Sequence, residues 1–387
     1  MKNTFSLLIK RKLSGVSNSL LQLNEKIKIL IICLLILLGP ISKVFCQGRE
    51  TNEGNTTVLK LLAGPNNPRN SEGDFITLKD GRILYVYTHY TGNSDGDNDP
   101  AYLAGRYSSD KGESWTKEDV TIVEQEGKMN VMSVSLLRLQ NGEIALFYLR
   151  KNSETDCIPM VRISKDETKT WSDPKPCITD REGYFVLNND RVIQLANGRV
   201  ILSVALHQTP DDQKMSRIGR IWSYYSDDNG RSWKSSAEVA NPDSVVTQEP
   251  GLVELKNGNI LMFMRTTKGV QYFSFSKDKG ETWSAVEPSN IPSPCSPATI
   301  VRVPSTGDLI LVWNDNGINQ KRTPFNIAVS KDEGKTWINK KVVENNPAGI
   351  YCYPATLFTG GNVLLAYLDA HTRGITIKKI SSNWIYK

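Results

Sequence analysis

Residues Gln248–Trp283 read QEPGLVELKNGNILMFMRTTKGVQYFSFSKDKGETW, and the rest of the chain repeats this unit. An apolar-rich run, Gly251–Leu255, breaks at Lys256-Asn257-Gly258 and resumes over Asn259–Arg265. Asn-Gly between two β-prone runs is a strong hairpin signal, so two antiparallel strands are predicted. A third run, Val270–Ser276, carries the β-branched and aromatic residues that suit a pleated surface. It leads into the turn-rich octet SKDKGETW at Ser276–Trp283.

Counting copies of this unit decides the architecture. The octet recurs as SSDKGESW at Ser108–Trp115, SKDETKTW at Ser164–Trp171, SDDNGRSW at Ser226–Trp233 and SKDEGKTW at Ser330–Trp337, five copies in all. The hairpin turn recurs six times, with glycines at Gly81, Gly142, Gly198, Gly258, Gly307 and Gly361. Their spacings of 61, 56, 60, 49 and 54 residues each leave room for one four-stranded antiparallel sheet with its loops. A period of this length predicts an all-β fold, a six-bladed β-propeller. After Gly361 only Asn362–Tyr367 and Gly374–Ile380 remain for strands, so Thr56–Leu62 is expected to complete the last sheet and hide an open edge.

Residues 1–46 read as a leader rather than as part of this fold. Ile29–Leu38 is an unbroken apolar run behind Lys26 and Lys28, too short to span a bilayer but suited to a secretory signal. Val44-Phe45-Cys46 forms an imperfect small-residue cleavage site, and a lipidated Cys46 is the alternative to a soluble exported protein. Seven Lys or Arg against one Glu in this leader account for the whole formal charge of +6. Residues 47–387 are therefore neutral overall and read as one domain, with nothing to suggest a nucleic-acid or membrane-surface partner. Cys157, Cys177, Cys295 and Cys352 are compatible with disulfides or with free thiols. No CxxC pair and only three histidines, His89, His207 and His371, argue against zinc, and neither a metal nor a cofactor is expected.

In a four-stranded meander the Asn-Gly turns and the octets fall at one end of each sheet. A pocket at the other end draws on residues just before the first strand, at the end of the second, or in the loop to the third. Glu249 and Arg265 stand eight residues before and eight after Asn257, so the hairpin brings both to that opposite face. The bland reading of the pair is a structural ion pair at a sheet edge.

Octets of the form Ser-x-Asp-x-Gly-x-Thr-Trp in successive repeats resemble the Asp boxes of the sialidase superfamily, over roughly Asn55–Lys387. Such boxes are folding devices: Asp accepts backbone N–H bonds, Gly supplies a positive φ, and Trp packs between strands. Proteins carrying them include noncatalytic ones, so activity has to rest on other residues.

The resemblance implies roles for six residues. Glu249 followed sixteen positions later by Arg265 is similar to the sialidase pair in which the Glu serves the nucleophile and the Arg binds the substrate carboxylate. Arg69 in PRNSEGDF and Arg322 in KRTPFNIAVSKDEGKTW stand where the other two arginines are expected, three planar forks that match one carboxylate. Tyr353 in GIYCYPATLF resembles the catalytic tyrosine, with Tyr351 two positions away as the alternative. A phenol suits an anomeric carbon that bears a carboxylate, because a carboxylate nucleophile would be repelled there. The acid/base falls in the loop TGNSDGDNDP, Thr91–Pro100, at Asp97, with Asp95 and Asp99 as alternatives; an acidic solvated loop is the bland reading.

The chain also departs from the pattern. Asn70-Ser71-Glu72 follows Arg69 where sialidases carry Ile-Pro, and Glu72 brings an extra negative charge. Arg150, Asn188, Asn189, Arg191 and His207 fall on or near the same face. The reading that follows is an exported retaining exo-α-sialidase acting on an acidic glycan. The alternatives are another exo-glycosidase or a lyase acting on uronic-acid polysaccharide, and a noncatalytic glycan-binding propeller.

Overall fold

The computed structural model describes residues 54–387, so the expected leader and Cys46 lie outside the described residues. The chain there is built of β-strands, with one short helix at Ser382–Tyr386. Asn70–Thr77, Ile83–Tyr90, Ala101–Ser108 and Val120–Val123 form a four-stranded antiparallel sheet, the 70–123 sheet. Thr247–Glu254, Ile260–Thr266, Val270–Ser276 and Glu287–Pro292 form the 247–292 sheet, and Thr299–Arg302, Leu309–Asn314, Phe325–Ser330 and Ile338–Glu344 form the 299–344 sheet. The terminal sheet joins Tyr351–Thr359, Asn362–Asp369 and Gly374–Ser381 to Asn55–Leu61, so the first described strand completes the last sheet as the sequence led us to expect.

Between Asn130 and Ser235 the sheet has nine strands rather than four. Tyr184–Val186 joins its two halves, antiparallel to Val200–Gln208 and in parallel register with Asp156–Ser164 through Tyr184 and Cys157. The link forms because the connection runs extended along an open strand edge, where Cys157 N–H donates to the Gly183 carbonyl at 3.1 Å.

Local chemistry sets each hairpin. At Asn257-Gly258 the Leu255 and Asn259 backbones bond across the turn at 2.8 Å, and Asn257 Oδ1 caps Asn259 N–H at 3.0 Å. Gly258 takes φ +80, which only glycine adopts without strain. The second strands read as continuous apolar runs because they are buried on both faces; Ile260–Met264 is wholly buried.

The octets share one hydrogen-bonded turn. Ser276 Oγ donates to Asp278 Oδ1 and accepts from Gly280 N–H, both at 2.8 Å, while Asp278 Oδ1 accepts from Thr282 N–H at 2.9 Å. The same Ser-to-Asp bond recurs at Ser108, Ser164, Ser226 and Ser330. Gly280 has φ +91, and a Cβ there would stand 2.2 Å from Ile201 Cδ1. The octet tryptophans pack into apolar layers between neighbouring sheets: Trp283 joins Ile201 and Ile221 to Leu252 and Met262, and Trp337 joins Leu261 and Phe263 to Leu309 and Leu311. The terminal sheet carries no octet. Instead the helix Ser382–Tyr386 places Ile385, with Trp384 and Tyr386, in the layer between it and the 299–344 sheet. Asp278→Ala is expected to lower stability by about 1–2 kcal/mol in urea denaturation, because the turn loses bonds to a charged acceptor.

Turns and octets share one end, as expected. Lys79 N–H donates to Glu167 and Lys256 N–H to Glu333, each at 2.8 Å, so an octet glutamate caps the turn of a neighbouring sheet. The other end of the 247–292 hairpin pairs Gln248 with Arg265 and holds the site described next. Cys157, Cys177, Cys295 and Cys352 are free thiols. Among the described residues no helix is long and apolar enough to cross a membrane.

Candidate active site

Strand alternation breaks at one place in four first strands. Pairing register shifts between Ser71 and Asp74, Met132 and Ser135, Gln248 and Gly251, and Cys352 and Ala355. Inside these bulges Glu72, Ser133, Glu249 and Tyr353 take φ values of 52, 60, 50 and 58°. Left-handed backbone at such residues costs about 1–3 kcal/mol each, and bulges of this kind re-aim a side chain. All four line one cavity of about 430 Å³, whose wall also includes Asp97, Lys151, Tyr184, Asn188, His207 and Arg265.

Tyr353, Glu249 and Arg265 form a contiguous cluster. The Tyr353 hydroxyl donates to Glu249 Oε1 at 3.3 Å, and Arg265 Nη1 stands 3.0 Å from Glu249 Oε2. Gln248 Oε1 holds Arg265 Nε at 3.1 Å. Burial, with the Glu249 charge, pushes the Tyr353 phenol well up against the opposing pull of Arg265, so the resting hydroxyl keeps its proton. Glu249 is placed to receive that proton when an electrophile reaches the phenol oxygen. Tyr351 is no competitor: the bulge breaks the alternation, and Tyr351 packs against Phe325 and Tyr367 in the core.

The other expected residues are placed differently. Arg322 donates from Nη2 to the Cys295 carbonyl at 3.0 Å and lies outside the cavity wall. Burial opposes its charge, but Cys352, Tyr353 and Glu249 outweigh burial and raise its pKa. Arg69 has its fork filled by its own surroundings. Its Nη1 donates to the Asp95 carbonyl at 2.9 Å and its Nη2 to Asp97 Oδ1 at 2.7 Å and to the Tyr90 hydroxyl. A substrate carboxylate at Arg69 would have to displace Asp97.

The three loop aspartates separate cleanly. Asp99 accepts from Gly96 N–H and the Ser94 hydroxyl and shapes the turn, and Asp95 pairs with Arg373 at 3.0 Å. Asp97 alone of the three lines the cavity, with its side chain 69% exposed. Its backbone is pinned from beneath: Lys151 Nζ and Asn130 Nδ2 donate to the Asp97 carbonyl at 2.7 and 2.9 Å.

Sequence reasoning gave Ser133 no role and saw in Glu72 only an extra negative charge after Arg69, although a signal that both face the cavity exists. Each stands nine residues before its turn glycine, Gly81 or Gly142, as Glu249 stands before Gly258. Asn188 and His207 do reach the cavity wall. The His207 Nδ1–H donates to the Ser216 carbonyl at 2.8 Å, and burial lowers its pKa, leaving a neutral ring with Nε2 as an acceptor. Arg191 and Asn189 are structural: Arg191 bonds Thr299 and Ala298, and Asn189 bonds the Gly73 carbonyl. A larger cavity of about 680 Å³ lies at the turn end, between Asn257 and Asp332–Lys335, and holds none of the expected site residues.

Residues 106–365 match the profile of the BNR repeat-like domain. The chain belongs to the sialidase superfamily. Within the superfamily it is 29% identical over 181 residues to a sialidase of Micromonospora viridifaciens, spanning 41% of this chain and 27% of that one. It is 26% identical over 217 residues to a sialidase of Paraclostridium sordellii, spanning 48% of this chain and 52% of that one. The chain thus aligns with about half or less of the length of these curated relatives. A Hadza microbial sialidase, Hz136, superposes with a TM-score of 0.69 at 17% identity, covering 83% of this chain and 67% of that one, which establishes the shared superfamily fold.

Proposed function

We propose that residues 47–387 form one six-bladed propeller with five Asp boxes, and that the bulge-lined cavity is the active site of an exported retaining exo-α-sialidase. The observation that carries this reading is the cluster of Tyr353, Glu249 and Arg265, two of its members held on left-handed bulges that open on one cavity. The leader over residues 1–46 supports export. In this reading Arg265, Arg322 and, once freed from Asp97, Arg69 hold the carboxylate of the sugar. Tyr353 Oη attacks the anomeric carbon and passes its proton to Glu249, while Asp97 protonates the departing glycosidic oxygen. Asp97 then takes a proton from water, which attacks the same carbon, and the released Tyr353 oxygen recovers its proton from Glu249.

Hydrolysis of a fluorogenic α-sialoside by the protein tests the reading, with Arg265→Ala as control. Turnover is expected, with a fall of roughly 100-fold or more in kcat/KM for the variant, because a buried charge-assisted contact to substrate is lost. Absence of turnover by the folded protein would refute the sialidase assignment. A second reading, an exo-glycosidase or lyase acting on a uronic-acid polysaccharide, is supported by the occupied fork of Arg69 and by Glu72 in the cavity wall. Turnover of uronic-acid oligosaccharides, with an ultraviolet-absorbing unsaturated product in the lyase case, would select it.

A further inference from the structure

We propose that Glu72, held against Ser133, is a substrate-contacting residue that hydrogen-bonds a hydroxyl group of the acidic sugar in this cavity. The proposal rests on the glycan-processing reading above and adds a specificity determinant to it. Glu72 occupies in its sheet the same left-handed bulge as Glu249 and Tyr353 in theirs, and it is as open to the cavity as Glu249, at 7% each. Ser133, on the adjoining bulge, donates to Glu72 Oε2 at 3.0 Å and leaves Oε1 for a ligand. Among the described residues no Lys or Arg forms an ion pair with Glu72.

The surroundings decide which ligand group suits it. Burial pushes the carboxyl up to about 7; Arg69 and the Ser133 bond work against this, and Asp97 and Glu249 add to it. Tyr353, Tyr90, Tyr184 and the buried Cys157 thiol also feel its charge, and Lys151, Arg265 and His207 share the cavity wall with it. An uncharged carboxyl both donates and accepts, which matches a sugar hydroxyl and leaves room for an acidic sugar. Once ionised, Glu72 becomes a further negative charge in a cavity that already holds Glu249 and Asp97, and the acidic sugar is repelled. The sign follows: substrate binding is strongest below about pH 7 and weakens above it.

The test measures KM and kcat from pH 5.5 to 8.5 for the protein, Glu72→Gln and Glu72→Ala, on fluorogenic α-sialoside and α-uronoside. For the protein, KM should rise several-fold per pH unit above about pH 7 while kcat changes less. Glu72→Gln, which keeps a donor and an acceptor, should match the protein within about threefold at pH 6 and lose that rise. Glu72→Ala should raise KM about tenfold or more at pH 6, as expected for an unmet hydroxyl. If Glu72→Gln keeps the full pH dependence of KM, the proposal fails while the glycosidase reading stands. If the protein turns over neither substrate, that reading fails and takes the proposal with it. Should Glu72→Ala not fold, Glu72→Gln alone decides.

Discussion

Tyr353→Phe is expected to lower kcat on an α-sialoside by about 10³-fold or more while leaving the melting temperature close to that of the parent protein. The substitution removes one oxygen. Phenylalanine keeps the ring and carries the same backbone cost at φ 58, so the fold loses only the 3.3 Å bond to Glu249. Chemistry loses its nucleophile, and removal of a nucleophile from a hydrolase site commonly costs 10⁴–10⁶-fold, with weaker routes through water setting the floor. Single-turnover assays with a fluorinated sialoside, followed by mass spectrometry of the intact chain, check the step directly: the parent protein gains the mass of the sugar and the variant does not. A variant that still traps the sugar would move the nucleophile elsewhere in the cavity.

Arg191→Met is expected to act on stability instead, lowering the unfolding free energy by about 3–5 kcal/mol. Arg191 is fully buried, donates to the Ala298 carbonyl at 2.6 Å and to Thr299 Oγ1 at 3.0 Å, and lies 5.4 Å from the Phe263 ring. It therefore ties the nine-stranded sheet to the 299–344 sheet. Burial lowers its pKa to about 10, although Asp190 and Glu249 favour the cation. Methionine fills the volume but leaves the Ala298 carbonyl and Thr299 Oγ1 without their donor and Asp190 without the neighbouring guanidinium. Urea denaturation followed by tryptophan fluorescence checks the loss, and Arg191→Lys should recover little, since one ammonium cannot reproduce the fork. An unchanged midpoint for Arg191→Met would show that the buried guanidinium is not needed to hold the sheets together.

The parts legible in the sequence were those fixed by local chemistry. A positive φ at Gly258 and a Ser-to-Asp bond in an octet are decided within a few residues, so their spacing revealed the sheets. Glu249 and Arg265 were legible because a single hairpin carries both. Three features escaped because they depend on distant segments. The Asp97 loop fills the Arg69 fork across 28 residues, Tyr184–Val186 merges two repeats through bonds to neighbouring edges, and Trp384 takes a place that an octet fills elsewhere. The side chains of Glu72 and Ser133 were hidden for another reason. Strand alternation predicts which face a residue takes, and a bulge overrides it, so only the nine-residue offset from the turn glycine exposes them.

The pairing of Asn55–Leu61 with Gly374–Ser381 also constrains the order of events when the chain folds. Leu61 meets Ile375, so this ladder closes a loop of more than three hundred residues. The entropy of such a closure is about 5 kcal/mol, against about 2 for a ten-residue hairpin. Contacts of this sequence separation form late and slowly. On a ribosome the local hairpins can assemble as they emerge, but this ladder waits until Gly374–Ser381 has emerged. Until then Asn55–Leu61 stays without its partner strand, with edges open to other chains.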